Sequence, residues 1–207
     1  LNNKRFLVVK IDANTFSLKD KDGVAINTTS FTTYSSAGTM NRVYTIASPY
    51  TTAELFDIKF AQSADVMYIT HPAHEVEKLS RTGHTAWTLT DVDFGNGPFM
   101  DHNIETTTLT PSHKTVGATT TVTASAVTGI NSGSGFVSTD VGRLVHVKDG
   151  HFKITSITST TIVVGTVIVD LGITTGTTDF ALGSFSDTSG HPSCVTFFEQ
   201  RLVFAGT

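Results

Sequence analysis

Short runs that alternate polar and apolar residues, separated by turn-forming residues, fill the stretch from residue 57 to residue 91. Such alternation is typical of half-buried strands, because successive side chains of a strand point to opposite faces. Pro72 interrupts the pattern, since proline has no N–H to give to a strand ladder. The alternating runs are residues 57–62, 66–70, 75–80 and 86–90. The stretch therefore predicts four antiparallel strands, arranged as one meander sheet or one blade of a propeller.

Two segments resemble a family of phage tail proteins, the tail-tube or nozzle subunits of short-tailed phages and related prophages. The first, residues 62–89, contains QSADVM, THP, RTGHT and WTL. The second, residues 191–207, reads HPSCVTFFEQRLVFAGT, and the Gly-X-Pro usual in this family is Gly190-His191-Pro192 here. The resemblance extends over nearly the whole chain. Because family members are usually much longer, it implies that this chain is a fragment of one.

This resemblance implies a structural protein of the virion tail and not an enzyme. Subunits of the family form a ring with identical copies around a channel, and contact other tail or adaptor proteins. The genome leaves through that channel, so DNA is expected to pass without specific binding. Neither a cofactor nor a metal is implied, and no residue is assigned a catalytic role.

Composition favours β-structure and disfavours a phosphate-binding surface. Charged residues make up only 15% of the chain, and much of the polar remainder is Thr, Ser and Gly, which favours strands and turns. The net charge is −4, and Lys and Arg form no cluster of the kind that binds nucleic acid. A single cysteine excludes an intrachain disulfide. Apolar runs are too short for a membrane anchor.

The first 46 residues predict a small β-barrel module. Strands are expected at residues 6–11, 15–19, 24–26 and 42–46, with a hairpin turn at residues 20–23. The pattern resembles the small β-domain beside the first catalytic half-domain of ubiquitin-activating enzymes, although it carries no catalytic residue. In the linker that follows, Thr51 and Thr52, followed by Glu54, predict the cap of one helical turn.

Residues 113–183 predict a second small β-barrel module, inserted into the central sheet. Strands are expected at residues 119–125, 143–148, 151–157 and 160–169. Residues 152–164 follow the same strand–turn–strand pattern as residues 6–18. The full interpretation is an all-β chain in which residues 47–112 form a blade-like sheet with an irregular connection, and residues 184–207 supply its return strands.

The sequence offers few candidates for catalytic or metal-binding residues. His71 and His74 have a spacing that binds metal on a helix, but Pro72 predicts an extended turn and hence a surface loop. The remaining histidines considered, His84, His102, His113, His146 and His151, have no spacing that indicates a shared site. Cys194 lies among apolar residues and is expected to be a small core residue.

Other motifs also favour structural roles. Asp91 and Asp93 lack the further oxygen ligands of a calcium loop, and residues 95–97 lack the lysine of a phosphate loop. The aromatic residues of the central stretch, Phe60, Tyr68 and Trp87, are expected in its core and not on a sugar-binding platform.

The sequence therefore leaves three hypotheses about function. The first is a structural tail protein. The second is a β-module that adheres to host-surface glycans, which needs exposed aromatic side chains. The third is an accessory domain of an enzyme, which the resemblance to ubiquitin-activating enzymes suggests. It needs a nucleotide-binding α/β segment and a catalytic cysteine context, and the sequence lacks both.

Overall fold

A computed structural model of the chain describes residues 4–31 and 44–206. The chain consists of two compact units, Leu1–Val43 and Tyr44–Thr207. The elements described are strands and two short 3-10 turns, at Asn131–Gly133 and Ser138–Asp140. The all-β prediction is therefore confirmed. Among the described residues, no helix has the length and apolar character needed to span a membrane.

The first unit contains an antiparallel hairpin of β1 (Leu7–Lys10) and β2 (Phe16–Lys19). Asp12 stabilises its turn, since Oδ1 accepts hydrogen bonds from the N–H groups of Asn14 and Thr15, both at 2.8 Å. Beyond the hairpin, the strand expected at residues 24–26 is reduced to a single bridge between Lys19 and Ala25.

The last strand expected in the first module falls partly outside the described residues. Residues 42 and 43 are not described, and residues 44–46 are not in a strand. The barrel expected for this segment also includes residues 32–41, which lie outside the described part of the chain, so it stays a prediction.

The central stretch forms the predicted four-stranded antiparallel meander. Its strands are β3 (Lys59–Ser63), β4 (Val66–His71), β5 (His74–Gly83) and β6 (Ala86–Asp91), paired in sequence order. The sheet buries few large apolar side chains of its own. Val76 is 1% exposed, whereas Phe60 on the outer strand β3 is 62% exposed, so the expectation that Phe60 belongs to a core was wrong.

The next six strands form one curled sheet in the order β12-β9-β10-β11-β8-β7. They are β7 (Leu109–Pro111), β8 (Thr119–Ala124), β9 (Leu144–Val147), β10 (Gly150–Ser159), β11 (Ile162–Val169) and β12 (Phe180–Leu182). Leu109 and Thr177 exchange two backbone hydrogen bonds of 2.8 and 3.0 Å, which brings β7 toward the segment that enters β12. The sheet consequently curls into a half-barrel.

The main apolar core lies inside this curled sheet. In β8 every second residue is buried, which confirms the strict alternation predicted there. The core residues all lie between Leu109 and Leu182, and Phe136, Phe152 and Phe180 are its largest apolar side chains. The four long strands of the curled sheet match the predicted ones to within a few residues, whereas the three-residue strands β7 and β12 were missed.

The chain ends in a separate hairpin of β13 (Cys194–Phe198) and β14 (Arg201–Ala205). The sequence predicted that these strands would extend the four-stranded sheet. Instead, the ladder hydrogen bonds of β13 and β14 stay within the pair. The two strands pack against the sheet through side chains. Cys194 is exposed at the start of β13, so the prediction that it is a buried core residue was wrong.

Candidate functional site

Two histidines meet where β4 turns into β5. His71 is the last residue of β4 and His74 the first of β5, and the two are paired in the antiparallel ladder. Paired residues project from the same face of a sheet, and the two ring centroids are 5.1 Å apart. His71 is only 5% exposed, so the surface loop predicted here was wrong. The two rings do not need a helix to meet, because a hairpin with two connecting residues places them together.

A carboxylate approaches the same two rings from the linker before the sheet. Glu54 Oε2 accepts hydrogen bonds from the backbone N–H of Thr51 at 2.7 Å and from its hydroxyl at 2.8 Å. This is the side-chain contact that the capping-box spacing predicted. The hydrogen bonds from Thr51 lower the pKa of Glu54 to about 2. Its other oxygen, Oε1, lies 3.1 Å from Nε2 of His74.

Tyr50 and Glu77 complete what we call the histidine corner, namely Tyr50, Glu54, His71, His74 and Glu77. The Tyr50 ring lies edge-on to His74, with centroids 5.3 Å apart, and is 6.1 Å from His71. Burial raises the pKa of Tyr50 to about 12, helped by the negative charge of Glu77. The corner thus combines imidazole, phenol and carboxylate groups in one partly buried place.

A cavity of about 400 Å³ opens beside the corner. Its titratable lining residues are His74, Glu75, Glu77, Asp91, Asp187 and His191. Burial, followed by the neighbouring Asp91 carboxylate, raises the pKa of Glu77. Among the described residues that line this cavity there is no lysine or arginine. The cavity therefore concentrates negative charge next to two imidazoles.

Two segments that are far apart in the sequence, residues 62–89 and residues 191–207, contact each other at this side of the molecule. His191 donates its backbone N–H to the carbonyl of Pro72 at 3.0 Å, and its Nε2 lies 3.0 Å from Oδ1 of Asp187. Tyr68 of β4 contacts Phe197 and Phe204 of the final hairpin, with ring centroids 6.3 and 6.4 Å apart. Residues far apart in the sequence thus share one packed region.

A second histidine group lies on the curled sheet. His102 Nδ1 is 3.0 Å from Asp179 Oδ1, and the His102 and His146 rings are 5.4 Å apart. Burial lowers the pKa of His146, and the positive charge of His102 lowers it further. Lys148 Nζ lies 3.7 Å from the same Asp179 carboxylate. Sequence spacing missed this group because its members are up to 77 residues apart.

The other sequence candidates stay outside these two groups. Asp93 lies 3.7 Å from Lys153 Nζ in an exposed ion pair, and His113 is exposed. Trp87 is half-buried beneath the guanidinium of Arg81, which lies 5.8 Å from the ring centroid. His84 belongs to the same exposed turn, since its ring nitrogen Nδ1 is 3.3 Å from Arg81 Nη2.

No protein-family model and no curated protein matches this chain.

Proposed function

We propose that this chain is a structural virion protein, a subunit or part of a subunit of a phage tail tube or nozzle. One observation carries the proposal: the two segments that resemble such proteins pack together through Tyr68, Phe197 and Phe204. Segments that belong to one structural signature are expected to meet in the fold. A blade-like central sheet flanked by small barrel modules is the finer architecture that we propose with it.

Unpaired strand edges and exposed apolar side chains support a role in assembly. Within the described residues, β3 and β6 are the outer strands of the four-stranded sheet, and the final hairpin pairs with no further strand. Phe60 on β3 is 62% exposed, and Phe198 on the final hairpin is 64% exposed. Exposed apolar edges favour pairing with another chain. In a ring, such an edge contacts a different face of the neighbouring copy.

The channel function in this proposal is mechanical. A chain with a net charge of −4 offers little attraction to DNA phosphates. A channel built from such subunits would let the genome slide past without being held. Identical subunits and other tail or adaptor proteins are the partners that we propose, and the virion tail is the proposed location.

The test is to express the complete reading frame that contains this chain and to examine the product by negative-stain electron microscopy. Closed rings with a central channel are expected, and antibodies against residues 44–206 should label the tails of purified particles. Phe60→Ser together with Phe198→Ser should weaken ring formation. Ile104→Ser is the matched control, because Ile104 is 96% exposed but lies outside the sheets. A monomeric product that is absent from virions would contradict the proposal.

Adhesion to host-surface glycans is the second candidate, and the exposure of Phe60 and Phe198 favours it. Aromatic faces that are open to solvent can stack on sugar rings. Binding of the chain to a glycan array, lost in Phe60→Ser or Phe198→Ser, would favour adhesion over assembly. Rings without glycan binding would favour the tail function.

A further inference from the structure

Three polar atoms of the histidine corner are buried without a hydrogen-bond partner within residues 4–31 and 44–206: Tyr50 Oη, His74 Nε2 and Glu77 Oε2. His74 Nε2 lies 3.1 Å from Glu54 Oε1, a contact that becomes an ion pair when the imidazole is protonated. Buried polar atoms nearly always have partners, and an ion or an ordered water is one kind of partner that such atoms take.

The distances in the corner suit a metal ion. Glu54, His71 and His74 each offer one nitrogen or oxygen, and these three atoms lie within 4.8 Å of one another. Zinc bound tetrahedrally at about 2.0–2.2 Å from its ligands holds them roughly 3.3 Å apart. Small rotations of the side chains would therefore bring all three atoms into contact with one ion. The carboxylate is already oriented, since Thr51 holds its other oxygen.

The charge of the surroundings also favours a cation. The adjoining cavity carries Glu75, Glu77, Asp91 and Asp187, and its described lining includes no lysine or arginine. In the second histidine group, by contrast, Lys148 already partners the carboxylate of Asp179. A divalent cation in the corner would offset the repulsion among Glu75, Glu77 and Asp91, beside which the described cavity lining places no lysine or arginine.

We propose that Glu54, His71 and His74 bind a divalent transition metal ion, with Zn²⁺ as the expected ion. Two imidazoles and one carboxylate are ligands that zinc accepts, whereas calcium and magnesium prefer oxygen ligands. A water or the nearby Glu77 carboxylate would take the fourth position. The ion would fasten the linker turn to the β4–β5 hairpin, and this site does not depend on the proposed tail function.

The proposal requires a limited change at His71. Its Nδ1 accepts a hydrogen bond of 3.2 Å from the backbone N–H of Ala73. Either binding mode costs this one long hydrogen bond. A metal at Nδ1 takes the lone pair that accepts it, whereas a metal at Nε2 leaves the ring proton on Nδ1, and the ring must then turn away from the Ala73 N–H.

Zinc binding can be measured by isothermal titration calorimetry on the whole chain, after treatment with EDTA and dialysis. Co²⁺ added in place of zinc reports tetrahedral coordination through its visible absorption. We expect one ion per chain and an increase in Tm on binding. Glu54→Gln and His74→Ala should each weaken binding by at least about 10–100-fold, since even residues that only support metal ligands have effects of this size.

His113→Ala is the matched control, because it removes an exposed histidine outside both groups and should leave binding unchanged. Circular dichroism and urea unfolding in EDTA establish that each variant folds. If His74→Ala fails to fold, Glu54→Gln, which preserves the size of its side chain, decides the test. Absence of saturable binding by the unmodified chain would overturn the proposal. So would binding that survives Glu54→Gln and His74→Ala but is lost in His102→Ala.

Discussion

Asp140 and Arg143 form a fully buried ion pair, in which Arg143 Nη1 lies 2.9 Å from Asp140 Oδ1 and the side chains are 0% and 2% exposed, respectively. Asn131 Nδ2 and the Val137 N–H donate to the other oxygen of Asp140 at 2.6 and 3.0 Å. Arg143 Nε donates to the carbonyl of Gly183 at 2.7 Å. The pair thus links the loop before β9 to the end of β12.

We expect Asp140→Ala to lower the free energy of unfolding by about 3–5 kcal/mol, because it leaves the guanidinium of Arg143 buried without its counter-charge. Urea unfolding measures the change. Asp65→Ala is the control, since it removes an exposed pair with Arg81 and should cost about 0–1 kcal/mol. Equal losses in the two variants would mean that burial of the pair has no energetic importance.

The surroundings of this ion pair could not be predicted from the sequence, although most strands could. The two-residue period identified the four strands of the central meander and the long strands of the curled sheet, because that signal is local. Asp140 and Arg143 are neighbours in the sequence, but their partners Asn131 and Gly183 are brought in by the fold. The three-residue strands β7 and β12 were missed for another reason, since they are too short to show a two-residue period.

Gly150 lies where the backbone of β10 approaches the residues after β11. A Cβ added there would meet the carbonyl oxygens of Val169 and Asp170 at distances that require the backbone to shift. We expect Gly150→Ala to destabilise the chain by about 1–3 kcal/mol, the usual cost of overpacking. Gly95→Ala is the matched control, because nothing lies within 4 Å of its added Cβ. Thermal unfolding of the two variants makes the comparison, and identical Tm values would contradict the expected clash.

The low pKa of Glu54 gives the stability of the chain a defined dependence on pH. Hydrogen bonds from Thr51 lower this pKa from 4.5 to about 2. The stabilisation is therefore present above pH 4.5 and is lost as the pH falls through 2. In urea unfolding with EDTA present, the unmodified chain should be more stable than Glu54→Gln above pH 4.5, and this difference in stability should shrink as the pH falls to 2. Asp57→Asn in the same turn is the control, since it keeps Glu54 and should follow the same pH dependence as the unmodified chain. A difference between the unmodified chain and Asp57→Asn that shrinks in the same way would assign the effect elsewhere.

Glu77 should behave in the opposite way. Its folded pKa is raised above 4.5, first by burial and then by Asp91. Its stabilising contribution is thus present below pH 4.5 and is lost as the pH rises through the folded pKa. Glu77→Gln should therefore raise the urea midpoint at pH 7 in EDTA and have less effect at pH 4. Glu105→Gln, at an exposed position, should leave the midpoint unchanged at both pH values. A lower midpoint for Glu77→Gln at pH 7 would contradict the prediction.

The histidine corner was only partly predictable. The sequence identified the capping contact between Thr51 and Glu54, because three-residue spacing is a local signal. It rejected His71 and His74 as partners because only helical geometry was considered. Pairing across a hairpin depends on the register of β4 and β5, and that register is set by the whole ladder. The acidic cavity includes Asp187 and His191, which only the folded chain brings near.

The contact between residues 62–89 and residues 191–207 can be measured as an energetic coupling between Tyr68 and Phe204. Their rings are 6.4 Å apart and tilted by 78°, the edge-to-face arrangement that aromatic pairs prefer. A double-mutant cycle with Tyr68→Ala and Phe204→Ala should give a coupling of about 0.5–1.5 kcal/mol in urea unfolding.

Ile104→Ala combined with Tyr68→Ala is the control cycle, because the Ile104 side chain is 96% exposed and has little to lose. Its effect should simply add to that of Tyr68→Ala. Coupling between Tyr68 and Phe204 no larger than in the control cycle would mean that the final hairpin does not depend on the central sheet. The packing on which the proposed function rests would then lack a measurable contribution to stability, whereas the proposed zinc site at Glu54, His71 and His74 would be unaffected.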